Sequence, residues 1–93
     1  MVIGVVTASL SLPEAQSPKE KRSLVRSLTE RALGEMNVSV AEIGMQDSPQ
    51  ACELAFVTVA ANSEIVQARI SNISRFLRRN PRYLLIRLRT EML

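Results

Sequence analysis

A chain of 93 residues with 46 % hydrophobic content fits one domain with a single two-layer core and excludes a disordered polar chain. No histidine and one cysteine, Cys52, exclude an internal disulfide and leave too few ligands for the usual zinc site, so no metal and no cofactor are expected. The net charge of +3 hides a segregation: residues 36–67 carry four acids and no cation, whereas residues 68–90 carry seven arginines and no acid.

The first element is a strand over residues 2–12, β-branched at its start and alternating later. Val2, Val6, Ala8, Leu10 and Leu12 are expected to face the helices, and Ile3, Val5, Thr7, Ser9 and Ser11 the other side. Apolar residues on both faces suggest a central strand, and Gly4 permits close approach of a helix. Next comes Leu12-Pro13-Glu14-Ala15-Gln16-Ser17-Pro18-Lys19-Glu20-Lys21-Arg22, the most individual local signal in the chain. Ser17 as N-cap, Pro18 at the first helical position and Glu20 three residues after the cap start a helix at Pro18. That helix runs to about Glu35 on a stripe of Leu24, Val25, Leu28 and Ala32. Lys21 falls on the apolar side. It must snorkel along its stem to water or bind something.

Residues 37–46 alternate first on Val38 and Val40 and then switch parity to Ile43 and Met45. The shift predicts a bulge near Ala41–Glu42 or cover on both faces. Asp47-Ser48-Pro49-Gln50 is a turn by composition, and residues 51–61 form a mostly apolar strand that closes a hairpin. Asn62 or Ser63 caps a second helix with a stripe of Val66, Ile70, Ile73 and Leu77, and Asn80-Pro81 stops it near Arg79. Residues 83–91 make the last strand, with Leu84, Ile86 and Leu88 on one face and Leu85, Arg87 and Arg89 on the other. The order β-α-β-β-α-β predicts a single α+β domain over residues 1–93. Its plan is the ferredoxin-like split βαβ: four antiparallel strands in the order 4-1-3-2, with both helices on one face.

The start Met1-Val2-Ile3-Gly4-Val5-Val6, the run from Ser17 to Ser23 and the block Asn37-Val38-Ser39-Val40-Ala41-Glu42-Ile43-Gly44-Met45-Gln46-Asp47 resemble the YlxP-like family of small bacterial proteins of unknown function. The resemblance covers nearly the whole length. It implies the ferredoxin-like fold and a genomic setting beside translation and ribosome-maturation genes. It carries no catalytic residues. Met45 stands where the family often has a polar residue or histidine, and the last strand is more arginine-rich than the family pattern.

Three surfaces could carry chemistry. Arg75, Arg78, Arg79, Arg82, Arg87 and Arg89 could contact the phosphates of RNA or of a ribosomal assembly, since cations gain affinity by releasing counterions. The plainer reading is a solvated helix end favoured by the helix dipole. The open sheet face lacks aromatics, so stacking of bases as in an RRM is not expected, and contact would be to backbone or shape. Lys19, Lys21 and Arg22 at a helix N-terminus could hold an anion, or pair with Glu14, Glu20 or other acids. Glu42, Asp47 and Glu53 could serve as paired carboxylates for proton transfer or Mg²⁺, or simply as turn and surface residues. No nucleophile–base signature is present, an enzyme is not expected, and Cys52 reads as a small core residue.

The sheet face away from the helices, with Ile3, Val5 and Leu85, is an apolar patch suited to a homo-oligomer. No membrane segment is expected, because no window reaches roughly 18 apolar residues. The N-terminus has no basic n-region. The expectation is a cytoplasmic, non-enzymatic, RNA- or ribosome-associated protein, with a homodimeric interaction module as the alternative and an anion-binding regulator or enzyme behind both.

Overall fold

The computed structural model describes residues Met1–Leu93. Strand β1 (Val2–Ser11) is followed by helix α1 (Pro18–Glu35), strands β2 (Ser39–Gly44) and β3 (Ala51–Ala60), helix α2 (Ser63–Arg79) and strand β4 (Leu84–Met92). The four strands form one antiparallel sheet in the order β2-β3-β1-β4. This is the expected order read from the opposite edge. The two most apolar strands lie inside, each paired with a neighbour on both edges.

One face of the sheet carries the core. Val6, Ala8 and Leu10 of β1 and Cys52, Leu54 and Phe56 of β3 are buried on it. They meet Leu28 and Ala32 of α1 and Ile73, Phe76 and Leu77 of α2 in one cluster. Both helices therefore rest on the same apolar face. Burying side chains of this size contributes about 1.5–3 kcal/mol each.

The helix ends follow local chemistry. Ser17 Oγ accepts from the Glu20 N–H at 3.1 Å, with Pro18 at the first helical position. Asn62 is the cap of α2, its Oδ1 accepting from the Ile65 N–H at 3.0 Å. At the other end Asn80 Oδ1 accepts from the Arg82 N–H at 2.8 Å, which turns the chain toward β4. Gly4 lies under α2. A Cβ there would stand 2.6 Å from Val66 Cγ1, so glycine is what lets this helix approach β1.

Two irregularities aim side chains. Between β2 and β3 the register slips so that Glu42 opposes Leu54 and Gly44 opposes Glu53, leaving Ile43 unpaired. The parity switch in the sequence is this bulge. Because opposed residues share a face, Glu42 points to the helix side along with Leu54. The second slip corrects the sequence reading of β4. Leu88 opposes Ala8 and Arg87 opposes Ser9, but Leu85 opposes Leu10, leaving Ile86 as the extra residue. Leu85 and Leu88 therefore both pack against the core, while Leu84 and Ile86 are exposed. Leu85 does not belong to the open-face patch, since strict alternation fails at one residue.

Candidate functional sites at the two ends of the helical layer

Apart from Arg69, which donates to Thr58 Oγ1 at 3.0 Å and to the Val59 carbonyl at 2.8 Å, the arginines of the last third occupy two surfaces. Arg75, Arg78 and Arg79 lie on the last turns of α2 and Arg82 just beyond it. Arg87 and Arg89 lie on β4, beside Ser9 and Thr7 on the open sheet face. All six are exposed. Arg75 donates to Asn72 within the helix, and Arg78 Nε donates to Ser74 Oγ at 3.2 Å. Neither contact neutralises charge. Arg79 pairs with Glu35 at 2.5 Å and Arg82 with Glu14 at 3.7 Å, both in solvent, where such pairs contribute roughly 0–1 kcal/mol and dissociate readily. No carboxylate lies within salt-bridge distance of Arg75, Arg78, Arg87 or Arg89.

The α2 end has a floor as well as charge. A cleft of about 410 Å³ is lined by Arg31, Phe76, Arg79, Asn80, Pro81 and Arg82. The guanidinium carbons of Arg31 and Arg79 stand 5.8 and 5.3 Å from the centroid of the buried Phe76 ring. The ring's negative face orients both cations at a modest gain each. Beneath them the Tyr83 hydroxyl donates to the Phe76 carbonyl at 3.4 Å. Burial raises the Tyr83 phenol above its ordinary value, against the lowering pull of the Arg31 and Arg79 charges. Arg31 is the residue that sequence reasoning missed. It sits in α1, remote in the chain, and only the packing of α1 beside α2 brings it to the cleft.

Lys19, Lys21 and Arg22 take different places. Lys19 and Arg22 are exposed and pair with no acid; Glu20 serves the cap and Glu14 serves Arg82. Lys21 is 4 % exposed. It does not snorkel to water. Its ammonium donates to the Met45 carbonyl at 2.7 Å, approaches the Gln46 carbonyl at 3.5 Å and pairs with Glu42 at 3.2 Å. The β2 bulge makes this possible, because it turns Glu42 beneath α1 and sends Met45 into the left-handed region at φ 59°. The carbonyls of the turn then point at the lysine. A polar cleft of about 400 Å³ opens onto this arrangement, lined by Lys21, Arg22, Glu42, Gln46, Asp47 and Ser48 among others.

Of the three acids considered as a carboxylate pair, Glu42 and Asp47 both line this cleft and Glu53 does not join them. Glu42 is bound to Lys21, Asp47 is exposed on the turn, and Glu53 lies on the opposite sheet face against Gly44, where Ser9 Oγ donates to it at 3.4 Å. No three of the Cys, Asp and Glu residues come together as a metal cluster. Cys52 is buried, and its thiol is pushed up to about 11, first by burial and then by the Glu42 charge, with Lys21 pulling the other way. A thiol so held is a packing group rather than a nucleophile.

Comparison with known proteins returns the same kinship that the sequence blocks suggest. The profile of a family described as "Protein of unknown function (DUF503)" matches residues 3–90. The "Uncharacterized protein YlxP" of Bacillus subtilis (strain 168) is 27 % identical over 76 residues, which covers 82 % of this chain and 83 % of that protein.

Proposed function

We propose that this chain, which belongs to the DUF503 family of proteins of unknown function, is a small non-enzymatic protein that binds RNA, free or in a ribosomal assembly, through the arginine end of α2. The observation that carries the reading is the cleft lined by Arg31, Arg79 and Arg82, the first two over Phe76, with Arg75 and Arg78 on the same helix end and free of carboxylates. Such a surface suits phosphates. Bidentate guanidinium contacts position a backbone without reading bases. The Glu35 and Glu14 pairs are exposed and weak enough to be exchanged for phosphate. A ferredoxin-like description of the fold goes with the proposal, supported by the element order and by the core both helices share. No helix is long and apolar enough to cross a membrane. The reading keeps the protein in the cytoplasm, where a lone buried thiol stays reduced.

The test is binding of a fluorescent single-stranded RNA by the full chain and by the triple variant Arg78→Glu, Arg79→Glu, Arg82→Glu. The variant is expected to weaken binding at least about tenfold, because several phosphate contacts become repulsive. Its thermal unfolding is expected to stay near wild type, since all three side chains are exposed. Equal binding by both proteins overturns the proposal.

A further inference from the structure

The open face of the sheet carries a pattern that is complementary to itself. Across its middle, Val5 of β1 opposes Val57 of β3, and Ile3 opposes Val59. Val57 and Val59 are 37 % and 52 % exposed. In the next rows Thr7 opposes Ala55 and Ser9 opposes Glu53, so the surface falls from bulky to small toward one end. The β4 edge is mixed in sign, since Glu91 stands beside Val5 in line with Arg87 and Arg89. Arg87 and Arg89 stand on the β4 edge beside Ser9 and Thr7, and Glu53 stands one strand beyond Ser9 on the other side. None of Glu53, Arg87 and Arg89 has an oppositely charged partner within its own chain.

We propose that this face is the interface of a homodimer, two copies packing sheet to sheet about a twofold axis parallel to the strands. Such an axis between β1 and β3 lays β1 of one copy over β3 of the other and β4 over β2. Each valine of the Val5–Val57 row then meets its counterpart in the second copy, as do Ile3 and Val59. Arg87 comes over the β2 edge next to the partner copy's Glu53, with the small Ser9 row leaving room for both side chains. A twofold axis across the strands sets β4 on β4, where Arg87 can meet Glu91, but it leaves Glu53 on β3 two strands away from the nearest arginine, so only the axis along the strands makes association depend on Glu53. Isologous contact of this kind forms the Arg87–Glu53 pair twice, once on each side of the axis.

The area is sufficient. Four strands about 4.8 Å apart and about 30 Å long give roughly 500–600 Å² per copy, or about 1,100 Å² in total. That lies at the lower edge of stable interfaces, so the dimer is concentration-dependent. Stacked sheets align within about 30°, a deviation that long arginine side chains absorb. The interface is separate from the α2 cleft, which stays open in the dimer. It assigns Arg87 to self-association instead of RNA and covers Arg89 on the same face.

Sedimentation of the pure chain across a concentration series, with Arg87→Glu, Glu53→Arg and the double variant R87E/E53R, tests the assignment. The wild type is expected to pass from monomer to dimer. Each single reversal should weaken association at least about tenfold, and the double variant should recover to within about threefold of wild type, as coupled charges do. Thermal unfolding confirms that each variant is folded. A wild type that stays monomeric at the highest concentration overturns the proposal. So does a dimer indifferent to both single reversals. Loss of RNA binding in a monomeric Arg87→Glu variant would give the face to nucleic acid and overturn it as well.

Discussion

Lys21 is a cation on the apolar face of a helix, and its place is determined by what surrounds its ammonium. Two carbonyls of the 45–46 turn and the Glu42 carboxylate replace water around it. A buried pair is weak evidence of net stabilisation, but removing one partner leaves the other stranded. Lys21→Met is therefore expected to lower unfolding stability by about 2–4 kcal/mol, below the top of the range for buried pairs because Glu42 keeps partial solvent access. The double variant Lys21→Met, Glu42→Leu should recover most of it in chemical denaturation; a double variant as unstable as the single would contradict the assignment. The Cys52 thiol gives a second expectation at this scale. Its folded value, about 11, lies above the ordinary 9.0, so the folded chain holds the proton longer than the unfolded one. Stability is then intact below pH 9 and declines as pH rises toward 11. The raised Tyr83 phenol adds to the same decline at the alkaline end. Melting temperatures measured from pH 8 to pH 11 should fall less steeply in Cys52→Ala than in wild type.

Among the elements, β1 and α2 are held together by the absence of a side chain. Gly4→Ala puts a methyl group 2.6 Å from Val66 Cγ1, and the helix must move outward. Overpacking of this kind costs about 1–3 kcal/mol. Combining it with Val66→Ala, which removes the opposing methyl group, should make the two changes less than additive in a double-mutant cycle. Strict additivity would mean that the clash is relieved elsewhere. The glycine was legible in the sequence because it interrupts a β-branched run, and the β2 bulge was legible because the apolar parity shifts at Glu42 to Ile43. The β4 bulge was not. Leu84-Leu85-Ile86 is apolar on both parities, so nothing local says which leucine faces the core. The register against Leu10 decides it, and register is a tertiary property. Lys21 was visible as a misplaced cation, but its partner depended on a bulge that turns Glu42 inward. Arg31 left no trace at all, since its cleft is built from the meeting of two helices.

At the scale of the whole molecule, the segregation of charge along the chain becomes a segregation in space. The acids of the central third are dispersed, with Glu42 bound to Lys21, Asp47 on the turn and Glu53 on the open sheet face. The arginines gather at the α2 end and along β4. The fold leaves a cationic cleft at one end of its helical layer and an uncovered sheet on its other side. The first is suited to a polyanion and the second to a like copy. The most direct measurement of the polyanion claim is a salt titration of RNA binding. For three or four phosphate contacts, the logarithm of affinity should fall with the logarithm of salt with a slope of about −2 to −3, and the Arg78, Arg79 and Arg82 charge reversal should flatten it by about two units. Binding that is absent at low salt, or whose slope is unchanged by that variant, would contradict it.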